Sequence, residues 1–330
     1  MLRLPWFEYR APRSLAEAAQ ILAGEGPRAM LIAGGTDLLP NMKRRHQAPK
    51  VLVSLRAVPE LRVVNGPFGA AVTLDEIAHN GKAPTALRQA AAQVATPQIR
   101  TMATLGGNLC LDTRCTYYNQ TYEWRKAIDF CLKKDGKICW VATASKRCVA
   151  VSSTDTAPAL IALNAKVQLV NESGQREISV EDLYRNDGID YLARRPDEIL
   201  TAVAVPTGWK STYWKLRRRG SFDFPILGVA VALKFDKEVI TEARVALGAV
   251  ASRPFLVEKA GEFLRGKKLT DDVIAQAAEL VANRAKPMDN TDMDLYWRKE
   301  VADDFATYAL RDLRGDDMAE IRRKVARQLV

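Results

Sequence analysis

The sequence predicts an α+β fold in consecutive parts, and three features of its pattern support this. Short apolar runs alternate with amphipathic helical stretches through the first hundred residues. Two longer apolar runs, Ile226 to Phe235 and Ile240 to Val250, are separated only by a polar turn, and from Pro254 the pattern is helical almost to the end. At 330 residues, 48% hydrophobic and 27% charged, the chain has the length for two or three domains and the profile of a soluble globular protein. That composition excludes a collagen-like repeat, a disordered chain and a disulfide miniprotein.

Taken in order, Ser14 to Gly24 (SLAEAAQILAG) reads as a capped helix. Ser14 is the N-cap, Glu17 follows three residues on, Leu15, Ala18, Ala19 and Leu22 share one face, and Gly24 is the stop. Ala29 to Ala33 reads as a strand running into Gly34-Gly35, and Val51 to Leu55 and Ala70 to Leu74 as further strands bounded by Pro or Gly. Leu74 to Asn80 and Pro84 to Ala95 read as helices. Later, Asp155 to Ala165 reads as a short helix, and Lys166 to Val170 and Glu198 to Val205 as strands, the last ending at Pro206, where a boundary falls. The two apolar runs after it form an antiparallel sheet with helices packed on it, one of them opened by Thr270-Asp271-Asp272.

The balance of 49 basic and 39 acidic residues is +10, and the basic residues come in short runs: Lys43-Arg44-Arg45, Arg217-Arg218-Arg219 and Arg322-Arg323-Lys324. Such a surface attracts anions, although no run reaches the length of a polybasic tail. Nucleic acid is not expected, because no helix-turn-helix, zinc-finger or aromatic ribonucleoprotein signature accompanies the charge. Pro5, Glu8 and Arg10 rule out a signal peptide or span at the N-terminus, and no later run of 18 apolar residues occurs, so no membrane association is expected. A cytoplasmic chain keeps its thiols reduced.

Chemistry concentrates in two features. Glycine pairs occur in Gly34-Gly35-Thr36-Asp37 and in Thr104-Leu105-Gly106-Gly107-Asn108. Paired glycines allow close backbone approach, so successive N–H groups can cradle a phosphate, with Thr and Asn side chains adding hydrogen bonds. Neither pair belongs to a GxGxxG or P-loop motif, which argues against a Rossmann site and an NTPase. The second feature is the clustering of all five cysteines between Cys110 and Cys148. Cys115, Cys131, Cys139 and Cys148 are spaced by 16, 8 and 9 residues, and Cys110 is the odd one out beside the second glycine pair. Zinc knuckles bring two cysteines together as C-x-x-C, which is absent, whereas a larger iron–sulfur cluster accepts ligands from separated points of a loop. On spacing alone, cluster, zinc and unligated thiols stay open. His46 and His79, the only histidines, have no acidic or histidine partner at ligand spacing and are expected at the surface. Tyr213 to Arg219 mixes aromatics and cations, and suits either a ring-stacking site or an amphipathic edge strand.

Five motifs in chain order make the sequence resemble the FAD-binding medium subunit of the molybdenum hydroxylase (xanthine dehydrogenase) family: LIAGGTDLLP at 31–40, PQIRTMATLGGNL at 97–109, STDTAPALIALNA at 153–165, DEILTAVAVP at 197–206 and RVALGAVASRP at 244–254. The resemblance implies an FAD-binding domain of the vanillyl-alcohol-oxidase type over 1–207, in subdomains 1–56 and 57–207, and a small C-terminal α+β domain over 208–330. It implies that Leu31, Ile32, Ala33, Gly34, Gly35, Thr36, Asp37 and Leu38, with Thr104, Leu105, Gly106, Gly107 and Asn108, wrap the FAD pyrophosphate and ribityl chain. Val94, Asp155, Ile199 and Lys215 match further cofactor positions. The pattern is broken by an insertion of some forty residues (110–150) holding the four spaced cysteines. In the family member with such an insertion it carries an additional [4Fe-4S] cluster, which implies ligation by Cys115, Cys131, Cys139 and Cys148. Also implied are a large molybdenum-cofactor subunit, a small [2Fe-2S] subunit, a dimer of heterotrimers, and an electron donor such as ferredoxin. With the flavin loops outside the insertion, the two cofactor sites are expected to be independent.

Overall fold

A computed structural model describes residues 3–220 and 222–327 and contains three sheets. The first is parallel, with Val51–Ser54 between Glu8–Arg10 and Ala29–Ile32. The central strand is buried on both faces, as its unbroken apolar sequence requires, whereas Glu8–Arg10 is exposed and has no apolar pattern to announce it. Helix Leu15–Glu25 lays Ala18, Ala19 and Leu22 on this sheet. The Ser14 hydroxyl accepts the Glu17 N–H at 3.2 Å, but the Glu17 carboxylate takes the Arg13 N–H, so the box closes one residue early. Gly24 does not stop the helix. Gly26 does, in the left-handed region at φ 53°, with its N–H donated to Leu22 O.

The second sheet is antiparallel in the order Phe68–Gly69, Ile199–Ala204, Lys166–Asn171, Gly174–Ser179. The strand expected over Ala70 to Leu74 contracts to Phe68–Gly69. Val72 N–H turns back to Gly69 O, and Thr73 is committed to capping helix Leu74–His79 through a reciprocal box with Glu76. The cap takes over donors that a strand would leave to a partner, and what faces this stretch is an isolated bridge from Thr73 to Thr104, itself the cap of a short helix, rather than a strand.

The third sheet is antiparallel in the order Phe255–Leu256, Val239–Gly248, Leu227–Asp236, Lys210–Leu216. Tyr213 to Leu216 thus belongs to an edge strand. Both faces of the sheet are covered, and the alternation of side-chain size shows how. Val229, Val231 and Leu233 point to helices Glu258–Leu264, Asp271–Arg284 and Leu295–Arg314, while Ala230, Ala232 and Ala246 let the fully buried helix Thr156–Ala162 approach from the other side. A Cβ at Gly248 would stand 2.6 Å from Pro158 Cγ of that helix. Thr270 caps Asp271–Arg284 as expected.

Residues 110–150 are largely irregular, with one helix, Tyr122–Ala127. Their neck is closed by a bridge in which Arg114 and Val151 exchange backbone hydrogen bonds of 2.8 and 2.7 Å. Among the described residues no helix is long and apolar enough to cross a membrane.

Arg298, fully buried on helix Leu295–Arg314, donates to the carbonyls of Ile226, Ala249 and Met288. Arg298→Ala leaves three buried acceptors unpaired and is expected to lower stability by about 3 kcal/mol or more, read as a fall in the urea midpoint.

Candidate functional site

Residues of the first and second sheets and of the segment between strands Lys210–Leu216 and Leu227–Asp236 wall a cavity of ≈ 810 Å³. Of the expected flavin residues, Leu31 to Leu38, Val94, Thr104, Gly106, Gly107, Asn108 and Asp155 line it. Three do not. Leu105 is buried in the core. Ile199 packs into the core of the first sheet, and strand alternation presents its neighbour Leu200 to the cavity instead. Lys215 stands behind the wall, its Nζ on Asp155 Oδ2 at 3.0 Å.

The second glycine pair is not a loop but the first turn of a short helix, Leu105–Leu109, capped by Thr104 Oγ1 accepting the Gly107 N–H at 3.1 Å. The glycines have different jobs. A Cβ at Gly34 would lie 1.9 Å from Met102 O and one at Gly106 2.7 Å from Ala70 Cβ, so these two let protein segments touch. A Cβ at Gly107 would meet only Thr104 Oγ1, at 3.0 Å, so its open side is the cavity itself. The Asn108 side-chain oxygen is taken by the hydroxyls of Thr154 and Thr156 and the Thr156 N–H, tying this turn to the segment before helix Thr156–Ala162. Nearby, Ser153 Oγ is buried against the cavity without a hydrogen-bond partner. Sequence reasoning missed the arginines of the wall, Arg44, Arg114, Arg194 and Arg219, which arrive from four separate segments. A large cleft with glycine-opened backbone, a spare buried hydroxyl and arginines suits a phosphate-bearing dinucleotide.

Cys115, Cys131, Cys139 and Cys148 are all buried and together line a second, much smaller space of ≈ 10 Å³, with Tyr117, Tyr118 and Trp140. Cys110 is apart from them and lines the large cavity. All five thiols are free. Burial pushes the Cys115 thiol up to about 11 and the Cys148 thiol up to about 12, the charge of Lys133 pulling the latter back. Among the described residues no group of three or more His, Cys, Asp or Glu side chains makes a site for a single metal ion. A tetrahedral zinc centre, with Zn–S of about 2.3 Å, would demand such a group.

The insertion is not independent of the large cavity. Arg114, beside Cys115, is ion-paired with Asp37 of the first glycine loop. Lys133, two residues after Cys131, reaches Asp112 Oδ1 at 2.9 Å, and Tyr118 donates to Asp112 Oδ2 at 2.9 Å. Asp37 and Asp112 line the large cavity; Tyr118 and Lys133 line the small one.

His46, expected at the surface, is buried and stacks on Tyr118 at 4.0 Å between ring centroids. Neither ring nitrogen has a hydrogen-bond partner, and burial followed by the charge of Arg125 pushes it down to about 4. The insertion covers it, which nothing near position 46 in the sequence announces. His79 is exposed, as expected.

This fold and cleft define a flavoprotein subunit, and the chain belongs to the family described as FAD binding domain in molybdopterin dehydrogenase, whose pattern matches residues 5–208. Residues 211–313 match the CO dehydrogenase flavoprotein C-terminal domain. The chain is thus an FAD-binding oxidoreductase subunit of the molybdenum hydroxylase family. Among its relatives, the aldehyde oxidoreductase FAD-binding subunit PaoB of Escherichia coli (strain K12) is 31% identical over 84% of this chain and 92% of that protein. The carbon monoxide dehydrogenase medium chain of Hydrogenophaga pseudoflava is 26% identical over 93% and 96%. The solved structure of reconstituted CO dehydrogenase from Oligotropha carboxidovorans superposes with a TM-score of 0.77 at 25% identity, covering 94% of this chain and 99% of that one.

Two outcomes follow. Gly107→Val should lose FAD in a flavin titration while its thermal midpoint without flavin stays near wild type; Gly34→Ala should lower that midpoint, since Met102 must move. His46 binds its proton more weakly folded than unfolded, so stability is full above its unfolded value near 6.5 and declines as pH falls from there towards 4. His46→Phe should flatten about 2 kcal/mol of that decline, measured by urea unfolding at stepped pH.

Proposed function

We propose that the chain is the electron-entry subunit of a molybdenum-dependent 4-hydroxybenzoyl-CoA reductase, taking single electrons from a low-potential donor such as ferredoxin. FAD, when bound, can hold one or two electrons and so joins single-electron carriers in series. Leu31–Leu38, Thr104, Gly106–Asn108, Val94 and Asp155 are the residues that would hold it, and Arg44 and Arg194 of the same cavity would supply positive charge for its phosphates. Lys215 acts from behind, by holding Asp155. A [4Fe-4S] cluster would take Cys115, Cys131, Cys139 and Cys148 as its thiolate ligands.

The observation that carries the reading is the convergence of these four cysteines, drawn from 34 residues of irregular chain, on one buried space beside the flavin cleft. Four free thiols match the donor set of a cluster in residue type. The net charge of +10 favours docking of an acidic donor. The names of the relatives, medium chain and FAD-binding subunit, support a place beside other subunits; in this reading they are a large molybdenum-cofactor subunit and a small [2Fe-2S] subunit, in a dimer of heterotrimers. The substrate, reduced to benzoyl-CoA with loss of its phenolic hydroxyl as water, would be handled on the molybdenum subunit.

A second reading is favoured by those same relatives, which are named for oxidation of an aldehyde and of carbon monoxide: a flavin subunit sending electrons outward, with the insertion serving as structure. Iron and acid-labile sulfide analysis of anaerobically purified chain separates them. About four of each per FAD is expected, and zinc without iron, or no metal at all, sinks the cluster. Cys131→Ser should lose the iron with FAD still bound, whereas Cys110→Ala should keep both, since Cys110 faces the other cavity.

A further inference from the structure

The Lys133–Asp112 ion pair stands at the only place among the described residues where the walls of the two cavities are joined by a buried charge on each side. Its side chains are 6% and 4% exposed. Lys133 also donates to Thr113 Oγ1 at 2.8 Å and to Gly188 O at 2.6 Å, and its ammonium lies 4.7 Å from the centre of the Tyr118 ring. Its place is therefore fixed by four partners. Asp112 faces the large cavity, and Lys133 faces the four cysteines. The large cavity takes FAD, a ligand with an anionic pyrophosphate, so an uncompensated carboxylate in its wall would oppose binding. The cysteine pocket would hold thiolates, which need a cation nearby because they too are buried.

We propose that Lys133 is a shared positioning residue that sets the charge of both sites: it neutralises Asp112 towards the flavin and offsets the thiolates towards the cluster. The flavin half of this rests on the family membership, and the cysteine half on the cluster reading above. The pair then makes a prediction of opposite sign for its two members. Lys133→Met leaves the Asp112 carboxylate with hydrogen-bond donors but without its cation, and loosens FAD by about tenfold. Asp112→Asn keeps an acceptor for the Tyr118 hydroxyl, frees the Lys133 charge, and tightens FAD by a similar factor.

The test is FAD titration of the purified full chain, stripped of flavin, for wild type, Lys133→Met, Asp112→Asn and the double variant. The double variant, which removes both charges, should return to within about twofold of wild type. A purely structural role would weaken FAD in every variant, and that pattern, or no change in any, overturns the proposal. If Lys133→Met does not fold, Asp112→Asn and the double variant still decide it through the sign of their effects. Iron uptake is measured alongside: Lys133→Met should take up less iron than wild type, and Asp112→Asn as much. Wild-type chain that takes up no iron overturns the cluster reading and the cysteine half, while the flavin titrations decide the other half alone.

Discussion

Lys215 carries its charge in a fully buried position, and the arrangement that makes this tolerable brings three distant segments together. Its ammonium reaches Asp155 Oδ2 at 3.0 Å, Gln93 O at 2.9 Å and Asp223 O at 2.8 Å, while the Tyr213 hydroxyl donates to Asp155 Oδ1 at 2.8 Å. Burial pushes Asp155 up and Lys215 down, and their attraction opposes both. A dry charge without its partner costs several kcal/mol, so the end of helix Thr85–Ala92, the start of helix Thr156–Ala162 and the edge strand Lys210–Leu216 must meet completely. The part of the large cavity's wall where Asp155 and Asp223 stand is placed by that meeting.

The insertion is added to this frame at a narrow neck and then fastened to it by charge. Arg114, beside Cys115, pairs with Asp37 outside the insertion, Lys133 donates to Gly188 O outside it as well as to Asp112 within it, and His46 stacks beneath Tyr118. Irregular backbone of this length cannot hold a geometry through secondary structure. Around Cys131 it does so by doubling back, with Lys134 and Gly136 donating to Cys131 O, and by placing Asp129, Phe130 and Asp135 at positive φ. Such strain persists only where the surroundings fix it, and here the surroundings are the flavin domain.

Much of the fold was legible because its signals are local. The Ser14 and Thr270 caps, the buried strand Val51–Ser54 and the antiparallel pair Leu227–Asp236 and Val239–Gly248 follow from cap residues and periodicity. The misreadings have two causes. Gly24 was overruled by Gly26 and the Ala70 to Leu74 strand by the Thr73 cap, both local competitions between signals a few residues apart, whereas the surface place of His46 was overruled by a segment some seventy residues away that folds over it. Only the last was decided by a contact outside the local window.

Residue type and short spacing alone were enough for the α+β class, for singling out the two glycine pairs, both of which line the large cavity, and for the grouping of the cysteines. The packed chain was needed to show that Gly34 and Gly106 serve packing while Gly107 opens to the cavity, that Ile199 and Lys215 stand behind its wall, and that the Asp112–Lys133 pair joins the walls of the two cavities. The physical reason is that burial and electrostatic partnership depend on which segments are brought within a few ångström of each other, and chain separation does not encode that.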